Sequence, residues 1–423
     1  MRRTAGAAGV AAVGGGLTLP ANADAQQESQ PALANTIQRL KPLSPAVTPI
    51  SDEERLARIE KARRLMRENQ IRAMFLEPGS SMFYYTGVRW GLSERPFGVV
   101  IPAEGELAYI TPGFEEQRAR ELIKFSNDVR VWQEDESPYR VIAGILRDRG
   151  ITTGRVGFEE RLRFFIADGV RSEAPQLEYV SATPVTAGCR MFKSPAELAL
   201  MQRANDITIE AYRAAFPTMH AGMTQGELSR TIAAAIQRLC GVSDGALVLF
   251  GVSSAFPHGT TKPAALKEGD IVLVDGGCTV EGYASDITRT TVFGTPSQRQ
   301  RDVWDLEKRA QSAAFAAAKV GAPCESVDAA ARKVITDAGY GPNYRVPGLP
   351  HRTGHGIGLD GHEWTNFVRG NKTPIQPGMC FSDEPTIVIY GEFGVRLEDC
   401  LYIGPDGPHF FTEQSPSIDR PFP

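Results

Sequence analysis

Ile271-Val272-Leu273-Val274 is an apolar run that ends on a carboxylate, Asp275, and Glu384 closes a similarly apolar-flanked stretch, Met379-Cys380-Phe381-Ser382-Asp383. This pattern constrains the fold more than any other feature of the chain. A strand that carries a carboxylate to a buried end must also provide for its charge, and a divalent cation does so. Asp286, His355 and Glu398 complete a set of five candidate donors in the second half of the chain. Singly, Asp275 before Gly276-Gly277 also reads as a turn, His355 as a core histidine and Glu398 as a solvated edge residue. Together, four carboxylates and one imidazole form an oxygen-rich set able to hold two divalent cations with a shared water or hydroxide. Hard donors favour Mn, with Co, Fe or Zn as substitutes.

Strand periodicity supplies the next layer. With a period of two, Asp286 shares a face with Thr288, and Glu398 shares one with Arg396. A hydroxyl and a guanidinium at those offsets can orient the donors and balance their charge, so Thr288 and Arg396 are the expected supporting residues. Four of the six histidines are grouped as a catalytic set requires. His351, His355 and His362 fall within residues 351–363, among glycines at 354, 356, 358 and 361, and His258 lies in Phe256-Pro257-His258-Gly259. Glycine lets the backbone approach a ligand closely.

The frame around these residues is ordinary globular protein. The 423 residues carry 46 basic and 50 acidic side chains and are 42% hydrophobic, which excludes a disordered chain and a polycationic nucleic-acid binder. The length suits two domains, each able to bury its own core. No apolar run of about 18 residues interrupts the body of the chain, so no membrane span is expected. Residues 1–25 read as an export signal of twin-arginine character, with Arg2-Arg3 ahead of a bland Ala/Gly/Val stretch and Ala23-Asp24-Ala25 as cleavage site. That places the mature protein in a bacterial periplasm; without a working signal it stays in the cytoplasm. Residues 26–50 read as a flexible tether and residues 414–423 as a loose tail. The six cysteines include no C-x-x-C pair and are expected reduced and buried.

Between these ends two domains are predicted. Residues 51–185 alternate strands (73–76, 98–101, 107–111, 129–132, 155–158) with helices after Ser51, at 114–125 and at 139–149, an α/β pattern. Near Thr186 a new domain is expected, running to 413. Its first helix is announced by Ser194-Pro195-Ala196-Glu197, an N-cap, a first-turn proline and a capping Glu. Helices at 225–239, 303–319 and 327–338, and strands at 247–251, 271–275, 283–293, 386–390 and 395–403, follow.

The blocks Val274-Asp275-Gly276-Gly277, Gly282-Tyr283-Ala284-Ser285-Asp286-Ile287-Thr288-Arg289-Thr290, residues 351–363, Pro377 to Pro385 and Gly394-Val395-Arg396-Leu397-Glu398-Asp399 resemble the pita-bread metallopeptidases, nearest the Xaa-Pro aminopeptidases and prolidases. Phe83-Tyr84-Tyr85-Thr86-Gly87 and Val156-Gly157-Phe158-Glu159 more weakly resemble a creatinase-type N-terminal domain. The resemblance implies an α/β N-terminal domain followed by an α+β pita-bread catalytic domain, and a homodimer. It implies that Asp275 binds one metal, Asp286 and Glu398 bridge both, and His355 and Glu384 bind the other. A hydroxide shared by the metals would attack the bond before proline, with Glu384 as proton shuttle. His362 would bond the substrate carbonyl, His258 and His351 would line the proline pocket, and Arg396 would support the carboxylates. Asp383 and Thr386 depart from the family pattern, where an apolar residue and a glycine are usual, and put substrate choice in question. Asp383 should point away from Glu384. Trp90 is a candidate substrate or interface contact, or an ordinary packed aromatic. The competing readings are a related metal-dependent hydrolase of a small amide or phosphoester, a metal-free creatinase-like hydrolase, and an inactive binding module on the same fold. Retention of all five donors weighs against the last two.

Overall fold

The computed structural model describes residues 34–423 except 244 and 263. The expected export signal lies outside the described residues. The N-terminal part is built on a six-stranded mixed sheet in the order Val129–Trp132, Ala108–Pro112, Gly98–Pro102, Ile71–Leu76, Arg155–Phe158, Glu178–Ser181. Its central strands are buried almost throughout, Arg72 excepted, because both faces are covered. Helices Asp52–Glu68, Ser80–Thr86 and Thr183–Arg190 pack through Ile59, Met82 and Val185 on one face, and helices Pro138–Asp148 and Phe164–Glu173 through Ile142 and Ile166 on the other.

All five strands read from sequence in this part are present, and the helix predicted at 114–125 shortens to Glu116–Leu122. Ser80–Thr86, Phe164–Glu173 and Glu178–Ser181 were not legible. The first carries Phe-Tyr-Tyr-Thr, residues of strand character, and the second leaves Phe164 and Phe165 exposed, which spoils its apolar stripe. The boundary expected near Thr186 falls inside helix Thr183–Arg190, whose Val185 and Cys189 belong to the N-terminal core. The seam therefore comes after Arg190, ahead of helix Pro195–Ala215. That helix opens with the predicted capping box between Ser194 and Glu197.

Beyond the seam, two sheets lie inside and helices outside. Ile287–Val292, Ile271–Gly276 and Leu247–Phe250 form a three-stranded sheet backed by Pro195–Ala215 and Gln225–Arg238. Glu363–Phe367, Gly354–Gly356, Cys380–Asp383, Asp399–Gly404 and Gly407–Phe410 form a five-stranded sheet, and Thr386–Ile389 pairs with Phe393–Arg396. Helices Gln298–Ala317 and Glu325–Asp337 cover this half through Trp304, Ala314 and Ile335. The two sheets meet at an isolated bridge between Thr288 and Glu398.

Two expectations about the chain ends need correction. Residues 34–50 are docked rather than a flexible tether: Ile37 is fully buried against Pro195–Ala215 and Gln225–Arg238, and Arg203 donates to the carbonyls of Leu43 (2.7 Å) and Pro45 (2.6 Å). The tail 414–423 is docked as well. Ile418 is buried and its carbonyl accepts from Thr291 Oγ1 at 2.6 Å, Arg301 pairs with Asp419, and Phe422 packs on Phe216. Neither segment shows a periodicity of its own, so nothing local reveals the surface that receives it. The cysteines are all free, and five are buried; Cys240 is exposed. Among the described residues no helix is long and apolar enough to cross a membrane.

Candidate metal centre

Strand pairing brings the donors together. Asp275, at the end of Ile271–Gly276, lies opposite Thr288 in the register, and Thr288 is bridged on its other side to Glu398. One row across three segments thus carries two carboxylates with a hydroxyl between them. Asp286 occupies the corner before Ile287–Val292, where its N–H donates to Cys400 Sγ (3.3 Å) and its carbonyl accepts from the same thiol (3.1 Å). His355 is the middle residue of Gly354–Gly356, with its N–H on Ser382 Oγ at 3.0 Å. The flanking residues are glycine for a steric reason: a Cβ on Gly354 would stand 2.1 Å from the Ser382 carbonyl, and one on Gly356 would stand 2.8 Å from that of Glu363. Glu384 follows Cys380–Asp383 and is held by its N–H on the Thr353 carbonyl at 2.8 Å.

The five predicted donors converge. His355 Nε2 is 3.1 Å from Glu384 Oε1 and 3.7 Å from Asp286 Oδ2. Donor atoms of Asp275, Asp286 and Glu398 lie within 4.8 Å of one another, as do those of His355, Glu384 and Glu398. At that spacing two carboxylates repel by about 3 kcal/mol at an effective dielectric constant near 20. Three such pairs are comparable with the whole stability of a domain, so protons or cations must occupy the set. The electrostatics agree. Burial and the neighbouring Asp275 push Asp286 up to about 7, and burial with Asp286, Glu384 and Asp275 raises Glu398 well above the usual range. Burial acts the same way on Glu384, but the hydrogen bond and charge of His355 outweigh it and bring Glu384 down to about 2. Glu398 Oε1 is buried and has no hydrogen-bond partner. An orphaned carboxylate oxygen aimed into a carboxylate cluster is what a cation-binding site looks like in protein atoms alone, and the donor set fits hard divalent ions.

The supporting residues are where periodicity put them. Thr288 Oγ1 donates to Glu398 Oε2 at 2.7 Å. Arg396 contacts Asp275 through Nη2, Thr288 Oγ1 through Nε at 3.2 Å and the Pro257 carbonyl through Nη1 at 3.2 Å. It therefore ties the carboxylates to the loop that carries His258. His362 stacks edge-on against His355 with ring centroids 4.1 Å apart, and burial with nearby His355 and Arg352 lowers it to about 4, so its ring is neutral. His351 is pinned by Nδ1 on the Arg352 carbonyl at 2.7 Å, while its buried Nε2 has no partner. His258 is exposed and influences both His351 and His362. Trp90 does not join the centre: it stacks on Phe97 at 4.2 Å beneath Arg118.

Sequence reasoning missed Arg289. It is fully buried, and donates to the Glu398 carbonyl at 2.9 Å and to Asp399 Oδ1 at 2.6 Å, fixing the backbone that presents Glu398. A guanidinium inside the run Ile287-Thr288-Arg289-Thr290-Thr291-Val292 was the available signal. Asp383 is fully buried with both carboxylate oxygens unpartnered, and burial with the nearby Asp399 and Glu384 raises it well above its usual range; Glu307, whose oxygens are unpartnered too, is raised in turn by burial and by Asp383.

Known proteins resemble this chain in sequence and fold. The description of metallopeptidase family M24 matches residues 199–405, and that of the creatinase/prolidase N-terminal domain matches residues 58–192. The chain is 37% identical over 383 residues to an uncharacterized peptidase of Schizosaccharomyces pombe, covering 86% of this chain and 82% of the relative. It is 31% identical to an Xaa-Pro dipeptidase of Lactobacillus helveticus, covering 84% and 96%. Among solved structures it superposes on a prolidase from Thermococcus sibiricus with a TM-score of 0.78 at 29% identity, covering 86% of this chain and 98% of that one.

Proposed function

The chain belongs to metallopeptidase family M24, with a creatinase-type N-terminal α/β domain ahead of a pita-bread catalytic domain, and on that premise we propose that it is a dinuclear-metal Xaa-Pro dipeptidase. The observation that carries the reading is the convergence of Asp275, Asp286, His355, Glu384 and Glu398 around the orphaned oxygen of Glu398. Dipeptides are preferred to longer peptides because relatives covering most of the chain bear the name Xaa-Pro dipeptidase. Two divalent cations, Mn by the hardness of the donors, would be held by those five residues and would supply an acidified water as nucleophile and positive charge for the developing oxyanion.

The protein's own groups do the rest. Glu384, ionised because of His355, is the proton acceptor, and Ser382 Oγ at 3.3 Å orients it. Neutral His362 offers an N–H to the substrate carbonyl oxygen, a bond that strengthens as charge grows there. The unpartnered Nε2 of His351, with His258 nearby, faces the space for the residue after the cleaved bond. Arg396 holds Asp275 in place through its Nη2.

Two further readings belong to the same proposal. The working enzyme is a homodimer, and it is exported with cleavage of residues 1–25; sedimentation of the mature chain and N-terminal sequencing of protein recovered from the periplasm test these.

Hydrolysis of Ala-Pro, Ala-Pro-Ala and Ala-Ala-Ala by protein lacking residues 1–25, with chelator and with added Mn, tests the activity. Metal-dependent cleavage of Ala-Pro alone is expected. Cleavage of the tripeptide before proline would make the enzyme an aminopeptidase. No peptide cleavage by metal-loaded protein would overturn the substrate class and leave small amides and phosphoesters to assay.

A further inference from the structure

The loop that presents His362 is held from the other domain. Helix Thr183–Arg190 packs in the N-terminal core, yet Arg190 at its end reaches across the seam. Its Nη2 contacts Glu363 Oε1 and donates to Asp360 Oδ2 at 2.6 Å, and its Nη1 donates to Ser81 Oγ at 3.1 Å. Asp360 is also held by Ser80 Oγ (2.6 Å) and Arg161 Nη1 (3.0 Å), both from the N-terminal domain. Glu363 in turn accepts the N–H groups of Leu359 (2.8 Å) and Asp360 (3.1 Å), and Lys193 Nζ at 3.2 Å. The Arg190 and Glu363 side chains are 13% and 5% exposed, so solvent screens the pair little. Residues 359–363 therefore close a small ring on Glu363, and that ring is bolted to the N-terminal domain. A cavity of about 30 Å³ is lined by both, with Ser81, Arg161 and Arg190 from the N-terminal domain and Asp360, His362 and Glu363 from the loop.

We infer that Arg190 is a positioning residue: through Asp360 and Glu363 it fixes the loop so that the exposed His362 ring stands at the substrate carbonyl. The N-terminal domain thereby takes part in catalysis within the same chain, without touching the metal donors. Loss of the clamp lets the ring of His362 drift, and a displacement of about 1 Å costs on the order of a hundredfold in rate. The inference rests on the reading of His362 given above.

The test is a double-mutant cycle in the full-length, Mn-loaded enzyme with Ala-Pro: wild type, Arg190→Ala, His362→Ala and the double variant, with Arg190→Lys as the charge-retaining control. Arg190→Ala should lower kcat about 10- to 100-fold with KM and metal content little changed. Arg190→Lys should recover part of the loss, and Arg190→Ala should add almost nothing once His362 is absent. Hydrogen exchange supplies a readout independent of turnover: the amides of Leu359 and Asp360 should exchange faster in Arg190→Ala, while those of Ile271–Gly276 keep their protection. Effects that multiply in the cycle, or unchanged exchange at 359–360, would overturn the clamp. A near-normal rate for His362→Ala alone would instead overturn the role given to His362, and the exchange result would still decide whether Arg190 holds the loop.

Discussion

Thr288 stands between Asp275 and Glu398: it pairs with the first in the sheet register, is bridged to the second, and donates its hydroxyl to Glu398 Oε2 at 2.7 Å. Arg396 Nε reaches the same hydroxyl at 3.2 Å, so one small side chain aligns a carboxylate and links it to the cation that balances the cluster. Thr288→Val keeps the shape and β preference of the residue and removes only the hydroxyl. Metal affinity should fall about 10- to 100-fold, read by Mn titration of the apo protein, with the unfolding midpoint nearly unchanged. Wild-type affinity in the variant would show that Glu398 needs no orientation from Thr288.

Metal loading should depend on pH with a definite sign. Asp286 is pushed up to about 7 and Glu398 is raised as well, so the empty cluster carries protons that a cation must displace. Mn affinity should rise steeply from pH 6 to pH 8, and calorimetry in buffers of different ionisation enthalpy should detect proton release. Affinity that stays constant over this range would mean the carboxylates are ionised without the metal.

Substitutions in the donor set and beside it should separate binding from rate. Asp286→Ala is expected to abolish metal retention and turnover while the N-terminal sheet stays folded by circular dichroism. His362→Ala is expected to keep its metal and lose 10²- to 10³-fold in kcat, the usual cost of a lost oxyanion donor. An active, metal-replete Asp286→Ala enzyme would sink the assignment of the centre.

Glu307 and Asp383 are fully buried acids whose carboxylate oxygens lack hydrogen-bond partners, and Glu307 is raised well above its ordinary value by burial and then by Asp383, against the opposing charge of Arg396. A raised carboxyl favours the folded state below its unfolded value, near 4.5, and that contribution is lost as pH climbs above it. The wild type should therefore lose stability relative to Glu307→Gln as pH rises from 4.5 to 8, by up to about 1.4 kcal/mol per pH unit while Glu307 stays protonated. Parallel unfolding curves for the two proteins across that range would contradict the pair.

The chemistry of the centre was legible locally. An apolar run ending on Asp275, the alternation that sets Thr288 beside Asp286 and Arg396 beside Glu398, and histidines among the glycines at 354–361 are all short-range patterns, and strand geometry converts each into a direction. The same short-range rules identified most strands and the capping box at Ser194 and Glu197. What they lack is any term for partners distant in the chain. Only the tertiary structure decided that the bridge at Thr288 would join two sheets, that Arg289 would be buried to hold Glu398, and that Arg190 of one domain would grip Glu363 of the other. Residues 34–50 and 414–423 make the point in reverse: with no periodicity of their own, they owe their order to Ile37 and Ile418 finding apolar surface assembled by segments far away in sequence.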